Sequence, residues 1–286
     1  MAMNRILILL ASLLVVGCPQ QAYKTESVTL STLKSHPYGG TCEPMSEYEA
    51  ISLASQVVSG GVRLNNGASI CKHNVQILEE DNEKILKIST GLGDGIDSEW
   101  SDIREGNRRR FEFVFTRQVF NKQVFRVEYA VRIPKENVFL PVPENQYYWF
   151  YINQLHPGGI NAPVMAVSVN RFEGIKVFDN LIQDTTGFGA ARTDYIPEAE
   201  GRWVKVKIEY KPSRTKGFRR LWVDDVLVLN EIDLTTTFDK GYSKFNFKFG
   251  IYQGTDNGIK GFKYPSIRSA TRQSVEFKNF RFRIIN

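Results

Sequence analysis

The feature that most constrains this chain is an alternation of apolar and polar residues with a period of two, recurring along most of its length. It is visible in "KILKIST" (84–90), "RRFEFVF" (109–115), "QVFRVEYAVRI" (123–133), "RWVKVKIEY" (202–210), "KFNFKFGIY" (244–252) and "SVEFKNFRFRII" (274–285). Successive strand side chains point to opposite faces, so each segment predicts one buried and one wet face. In "WVKVKIEY" the buried set is Val204, Val206, Ile208 and Tyr210, and the wet set is Trp203, Lys205, Lys207 and Glu209. "RLWVDDVLVLNEI" (220–232) reads as two short strands around an Asp224-Asp225 turn. A dozen or so strands without a strand–helix–strand rhythm predict an all-β chain folded as an antiparallel β-sandwich. One short N-terminal helix is expected within residues 43–61, with apolar positions at Tyr48, Ile51, Leu53 and Val57 and a stop at Gly60-Gly61. With 286 residues, 42% of them hydrophobic, the chain can build one large core.

The chain begins "MAMNRILILLASLLVVGC", with a single basic residue, Arg5, and an apolar run from Ile6 to Val16. That run is too short for a spanning helix and has the layout of a secretory signal. Its end, "LVVGC", resembles the bacterial lipobox. The resemblance implies a lipoprotein signal peptide at 1–17, a lipid anchor on Cys18 and a polar tether at 18–40, followed by one β domain at 41–286. Pro19 after the cysteine fits export to the outer membrane. Cys42 and Cys71 remain, and in an exported chain two cysteines predict a disulfide rather than a metal site.

No CxxC or HExxH pattern is present, and His36 and His73 read as surface or packing residues. "GDGIDSEW" (93–100) gathers Asp94, Asp97 and Glu99, with Asp102 beyond. Such oxygens suit calcium, yet the spacing matches no EF-hand loop and an acidic turn explains them, so no cofactor or metal is expected. The formal net charge of +6 suits an acidic partner: nucleic acid, an anionic membrane or an acidic polysaccharide. No motif supports nucleic acid, and a monomer is expected.

Three segments carry chemically capable groups. In "YYWFYINQLHPGG" (147–159) an uninterrupted strand places Phe150, Ile152, Gln154 and His156 on one face, and Tyr151, Asn153 and Leu155 on the other. In "NFKFGIYQG" (246–254) Lys248, Gly250 and Tyr252 share a face opposite Phe247, Phe249 and Ile251. Gly250 removes a side chain there, as a ligand approaching the backbone requires. In "RRRFEF" (108–113) Arg108, Arg110 and Glu112 stand opposite Arg109, Phe111 and Phe113. Taken together, the three polar faces predict a binding groove.

These motifs resemble, in chain order, those of polysaccharide lyases with a concanavalin-A-like β-jelly roll, the alginate lyases in particular. "RFEF" (110–113) is similar to R-(S/T)-E-L, "QLH" (154–156) to Q-(I/V)-H, and "NFKFGIYQG" to Y-F-K-A-G-V-Y-N-Q. Phe111 replaces the small hydroxyl residue of the first motif, and Asn246, Phe249, Gln253 and Gly254 depart from the third. The resemblance implies β-elimination on a uronate-containing polysaccharide. In that reaction the C5 proton leaves once donors have neutralised the adjacent carboxylate, and the 4-linked oxygen is expelled. Gln154 and Arg110 would neutralise the carboxylate. His156 or Tyr252 would be the base, and Tyr252 could also protonate the leaving oxygen. Lys248, Glu112 and Arg108 are expected to bind substrate, Lys244 and Arg281 to extend the groove or face solvent, and Phe150 to stack on a sugar. Two rivals follow from the same residues. "EIDLTT" (231–236) begins like the E-I-D-x-x-E of jelly-roll β-glucanases, but Thr236 replaces the second acid, leaving Glu231 and Asp233 as expected loop residues. A non-catalytic carbohydrate-binding module on the same sandwich is the other.

Overall fold

The alternating segments form twenty strands in a computed structural model that describes residues 43–65, 70–90, 108–135, 137, 148–157, 163–170, 174–179, 183–184, 187–188, 192–196, 201–237, 243–255 and 273–285. The first are β1 (Pro44–Met45), β2 (Val58–Ser59), β3 (Val62–Leu64), β4 (Ile70–Cys71), β5 (Val75–Glu80), β6 (Glu83–Thr90), β7 (Arg108–Phe115), β8 (Val119–Phe120) and β9 (Val124–Arg132). Then come β10 (Tyr148–His156), β11 (Met165–Asn170), β12 (Gly174–Asp179), β13 (Gln183–Asp184), β14 (Gly187–Phe188) and β15 (Arg192–Ile196). The chain closes with β16 (Val204–Lys211), β17 (Gly217–Val223), β18 (Val226–Leu234), β19 (Lys244–Thr255) and β20 (Gln273–Ile285). The expected signal, tether and lipidation at Cys18, together with His36, Cys42 and the acidic 93–100 segment, lie outside the described residues. Among the described residues no helix is long and apolar enough to cross a membrane.

Two eight-stranded sheets dominate. The front sheet runs β15-β12-β11-β10-β19-β7-β3 with β8 added to β19, and the back sheet runs β18-β17-β16-β9-β20-β6-β5 with β2 added to β20. Every described ladder is antiparallel except β2 on β20. The long strands change sheets as the chain proceeds, as expected for a β-sandwich jelly roll. Between the sheets lies a phenylalanine-rich core, with Phe115 stacked on Phe282 at 4.6 Å and Phe249 against Phe280 at 4.6 Å. Each face in "WVKVKIEY" points as the alternation predicts. Glu209 is buried even on the wet face, because Arg126 donates to it at 2.9 Å and Arg220 at 3.4 Å.

Turn chemistry explains the hairpins. Asp224 and Asp225 take φ of 46° and 68°, which closes β17 onto β18 in the left-handed conformation that aspartate tolerates. Asp81 and Asn82, at 53° and 63°, do the same for β5 and β6.

Three expectations need correction. The helix, α1, is only Glu47–Ala54, held by a reciprocal Ser46–Glu49 capping box. Its buried residues are Ala50 and Ala54, while Tyr48 is 82% exposed; Val57 and Val58 have already left the helix, and Val58 pairs with Phe280. The period of two in β20 breaks at Asn279 (φ 54°), where a bulge allows both Phe277 and Phe280 to reach the core. Glu231 and Asp233 are strand residues of β18, with Glu231 ion-paired to Arg219. Arg281, expected either to extend the groove or to face solvent, faces solvent on β20 of the back sheet. Cys71 is disulfide-bonded, and its strand β4 pairs with β1, just after Cys42 in the chain.

Candidate active site

β19 runs down the middle of the front sheet between β7 and β10, so side chains from three motifs meet on its face away from the core. β7 and β19 follow the predicted alternation. Phe111, Phe113 and Phe115, with Phe247, Phe249 and Ile251, belong to the core, leaving Arg110, Glu112, Lys248 and Tyr252 on the other face.

β10 does not follow it. Between the pairs Tyr151↔Tyr252 and Asn153↔Phe249 the register shifts, β10 advancing two residues while β19 advances three. The slip inverts the phase of the aromatic half of β10. Phe150 and Ile152 are wholly buried in the core, where no sugar can stack on Phe150. Tyr151, expected inside the sandwich, stands instead on the outer face with Tyr252, their rings 5.9 Å apart and edge to face. Beyond the slip, Gln154 and His156 keep the outer face and Leu155 the core. Asn153 points inward and donates a hydrogen bond to the hydroxyl of Tyr129, whose acidity burial weakens despite that bond.

The site has two rows. In one, Tyr252 lies between Tyr151 on β10 and Arg110 on β7, and the Arg110 guanidinium carbon is 4.0 Å from the centre of the Tyr252 ring. In the other, Gln154 is directly opposite Lys248. Glu112 joins the rows. Its Oε1 accepts from Gln154 Nε2 at 2.5 Å, and its Oε2 faces Arg110 Nε at 3.6 Å and accepts from Asn65 Nδ2 at 3.2 Å. β7 and β10 are two strand spacings apart, roughly 9–10 Å, yet these side chains touch. They can do so because Gly250, the cross-strand partner of Glu112, puts no side chain between them. Gly250 has a φ of 133°, and a Cβ there would lie 2.2 Å from the Phe111 carbonyl oxygen. The backbone that approaches this glycine is therefore that of β7, rather than a ligand's as the sequence suggested.

Gln154 and Glu112 are 1% and 2% exposed, and Arg110, Lys248 and Tyr252 no more than 9%. His156 is half-buried at the end of β10, opposite Asn246 and five residues from Tyr151, which is about 16 Å of strand. The structure thus brings Arg110, Glu112, Gln154, Lys248 and Tyr252 together and sets His156 apart from Tyr252. For Arg108 only the backbone is described, at the start of β7 opposite Gly254. Lys244 is exposed at the start of β19. Asn65 and Tyr151 belong to the site without having been predicted. Tyr151 was hidden by the register slip, and Asn65 carries no motif. Among the described residues no cluster of metal-ligating side chains occurs.

Comparison with known proteins gives this arrangement its family. The model of the family described as "Polysaccharide lyase" matches residues 66–268, well over half the chain and all three motifs. The chain belongs to the polysaccharide lyase family. No curated protein matches it. Among solved structures, the lyase resembles an endo-β-1,4-glucuronan lyase from the fungus Trichoderma reesei, with 17% identity and a TM-score of 0.51 over 77% of this chain and 89% of that one. An alginate lyase from Klebsiella pneumoniae matches at 13% identity and a TM-score of 0.46, over 73% of this chain and 84% of that one. The first of these likenesses bears on the fold, which the two share. As a family member the chain is a lyase, which displaces both the non-catalytic binding module and the glucanase reading.

Proposed function

We propose that this polysaccharide lyase cleaves an anionic, uronate-containing polysaccharide by β-elimination, with Tyr252 as the group that handles the protons. The observation that carries the reading is the continuous contact from Gln154 through Glu112 and Arg110 to the Tyr252 ring. A uronate C5–H is barely acidic beside a charged carboxylate. Donors must therefore hold that carboxylate as negative charge develops on the carbon next to it. The Gln154 amide and the Arg110 guanidinium supply such donors, and the Lys248 ammonium attracts the anionic chain. A base then takes the C5 proton, its electron pair forms the C4–C5 double bond, and the C4–O bond breaks as the leaving oxygen gains a proton. The products are a new non-reducing end bearing a 4,5-unsaturated uronate and a new reducing end.

Tyr252 lies against Arg110 and Tyr151, whereas His156 stands at the end of β10, opposite Asn246. This favours Tyr252 both as base and as donor to the leaving oxygen, with His156 contacting a neighbouring sugar. We assign Cys18 a lipid anchor holding the enzyme at the bacterial outer membrane, a reading supported by "LVVGC" and the tether after it.

The test is a panel of alginate, glucuronan and a glycosaminoglycan, monitored by the ultraviolet absorbance of the unsaturated product. One of them should give signal with the wild-type enzyme. Tyr252→Phe should remove at least 10³-fold of kcat, while His156→Ala should mainly raise KM. No signal on any uronate polymer would sink the substrate class. Loss of kcat in His156→Ala as deep as in Tyr252→Phe would overturn the assignment of the base.

A further inference from the structure

A buried carboxylate is an odd neighbour for groups that must receive an anionic sugar, and Glu112 is one. Both of its oxygens are already engaged, Oε1 by Gln154 Nε2 and Oε2 by Asn65 Nδ2, with Arg110 Nε close to the latter. At 2% exposed it is about as buried as Gln154, but unlike the amide a carboxylate has no donor to offer a uronate and carries the same charge.

From this geometry we infer that Glu112, itself fixed by Asn65, is a positioning residue that sets the orientation of the Gln154 amide, rather than a contact to the sugar. The physical argument starts from the amide. A glutamine side chain can be turned end for end about its last bond at little cost in shape, and only its hydrogen bonds decide which end points where. Against an ionised carboxylate, only the nitrogen end is tolerated. Glu112 therefore commits one N–H of Gln154 to itself and fixes the plane in which the second N–H can meet a substrate carboxylate. Gln154 Oε1 has no hydrogen-bond partner among the described residues, so nothing there holds the amide from its other end. The same carboxylate lies beside Arg110 Nε, on the edge of the guanidinium next to its stem.

Asn65 fixes the carboxylate in turn. It lies just past the end of β3, and its backbone N–H donates to the Glu112 carbonyl at 2.9 Å while its side chain reaches Oε2. Two bonds from one residue hold both the main chain and the carboxylate of Glu112, from the strand that flanks β7. A displacement of about 1 Å in such a donor costs on the order of 100-fold in rate.

This inference rests on the proposed elimination, and a double-mutant cycle separates the two. Glu112→Ala, Asn65→Ala and Gln154→Ala would be made singly, and each of the first two would also be combined with Gln154→Ala. All would be assayed on whichever of alginate, glucuronan or glycosaminoglycan gives signal with the wild type, with the melting temperature recorded in parallel. Glu112→Ala should lower kcat about 100-fold and Asn65→Ala about 10-fold, with KM within about threefold. In the Gln154→Ala background each should cost less than about twofold more, because the group they orient is gone. Equal losses in both backgrounds would overturn the inference, as would an unchanged kcat in both single variants. If Glu112→Ala does not fold, the gentler Asn65→Ala cycle decides alone. Failure of the substrate-class reading shows differently, as a silent wild-type enzyme.

Discussion

Replacing Gly250 by alanine places a methyl group where the β7 main chain already lies. The Cβ would be 2.2 Å from the Phe111 carbonyl oxygen and 2.9 Å from the Glu112 Cα, and contacts under 3.0 Å are essentially never made by real Cβ atoms. Neither obstacle is a flexible side-chain end, so the β7–β19 ladder itself must open by close to an ångström. The φ of 133° adds a second penalty, since an L side chain there costs about 1–3 kcal/mol before any clash. Together these predict destabilisation of about 3 kcal/mol or more, a fall in melting temperature of roughly 6–12 °C for a chain of this size. The functional loss should exceed the stability loss. The opening occurs between Lys248 and Tyr252 and beside Glu112, so it separates the amide row from the tyrosine row. A misplacement of that size predicts a fall in kcat on the order of 100-fold at temperatures where the variant is still folded. The assay is thermal unfolding followed by circular dichroism, paired with initial rates of unsaturated product well below the variant's midpoint. A variant that unfolds within 2 °C of wild type, or that keeps its kcat while losing the stability, would refute the reasoning.

Two further predictions concern stability. Tyr129→Phe removes the hydroxyl that accepts from Asn153 Nδ2, leaving a buried amide whose Oδ1 already has no hydrogen-bond partner among the described residues. It should cost about 1–3 kcal/mol in urea unfolding, with much of that recovered when Asn153→Leu is added, and a neutral single variant would show that the bond does not matter. Glu80 is held below its ordinary 4.5 by a hydrogen bond from Arg132, and Glu83 by bonds from Lys278 and Asn279. The unfolded chain therefore takes up these protons first, so their contribution is complete above pH 4.5 and fades as pH falls from there through the lowered values. The melting temperature should drop in that acid range, and less steeply in a Glu80→Gln, Glu83→Gln double variant; parallel acid limbs would contradict the assignment.

Much of the sandwich was legible because most strands obey one rule. Where a segment alternates cleanly, as in β7, β16 and β19, the sequence phase and the structural faces agree at the side chains that are described. β10 was misread in its first half for a reason its own composition conceals. Phe150, Tyr151 and Ile152 are all large and largely apolar, so a one-residue slip leaves the hydrophobic pattern looking intact. Asn153 gives no clue either, since it keeps the inner face that alternation assigned it, and its partner Tyr129 lies 24 positions away. Gln154, Glu112 and Arg110 could be chosen from motifs, but not the fact that Glu112 is spent on its neighbours. That depends on Gly250 leaving space across a strand, and on Asn65, 47 residues upstream of Glu112. Pairing across strands is a property of register, which hydrophobic patterning fixes only where the two faces differ.

The slip between β10 and β19 also bears on how enzymes of this design diversify. On β10 the outward groups fall at 151, 154 and 156, so the tyrosine and the amide are about 10 Å apart along the strand, where strict alternation would give about 7 Å. That interval belongs to the main chain, and no exchange of one side chain for another can alter it. A lineage seeking to serve a sugar of different reach would have to gain or lose a residue at the slip, or move it along the ladder. Relatives with the same motif letters and a length change between Tyr151 and Gln154 would be the place to look for altered substrate choice.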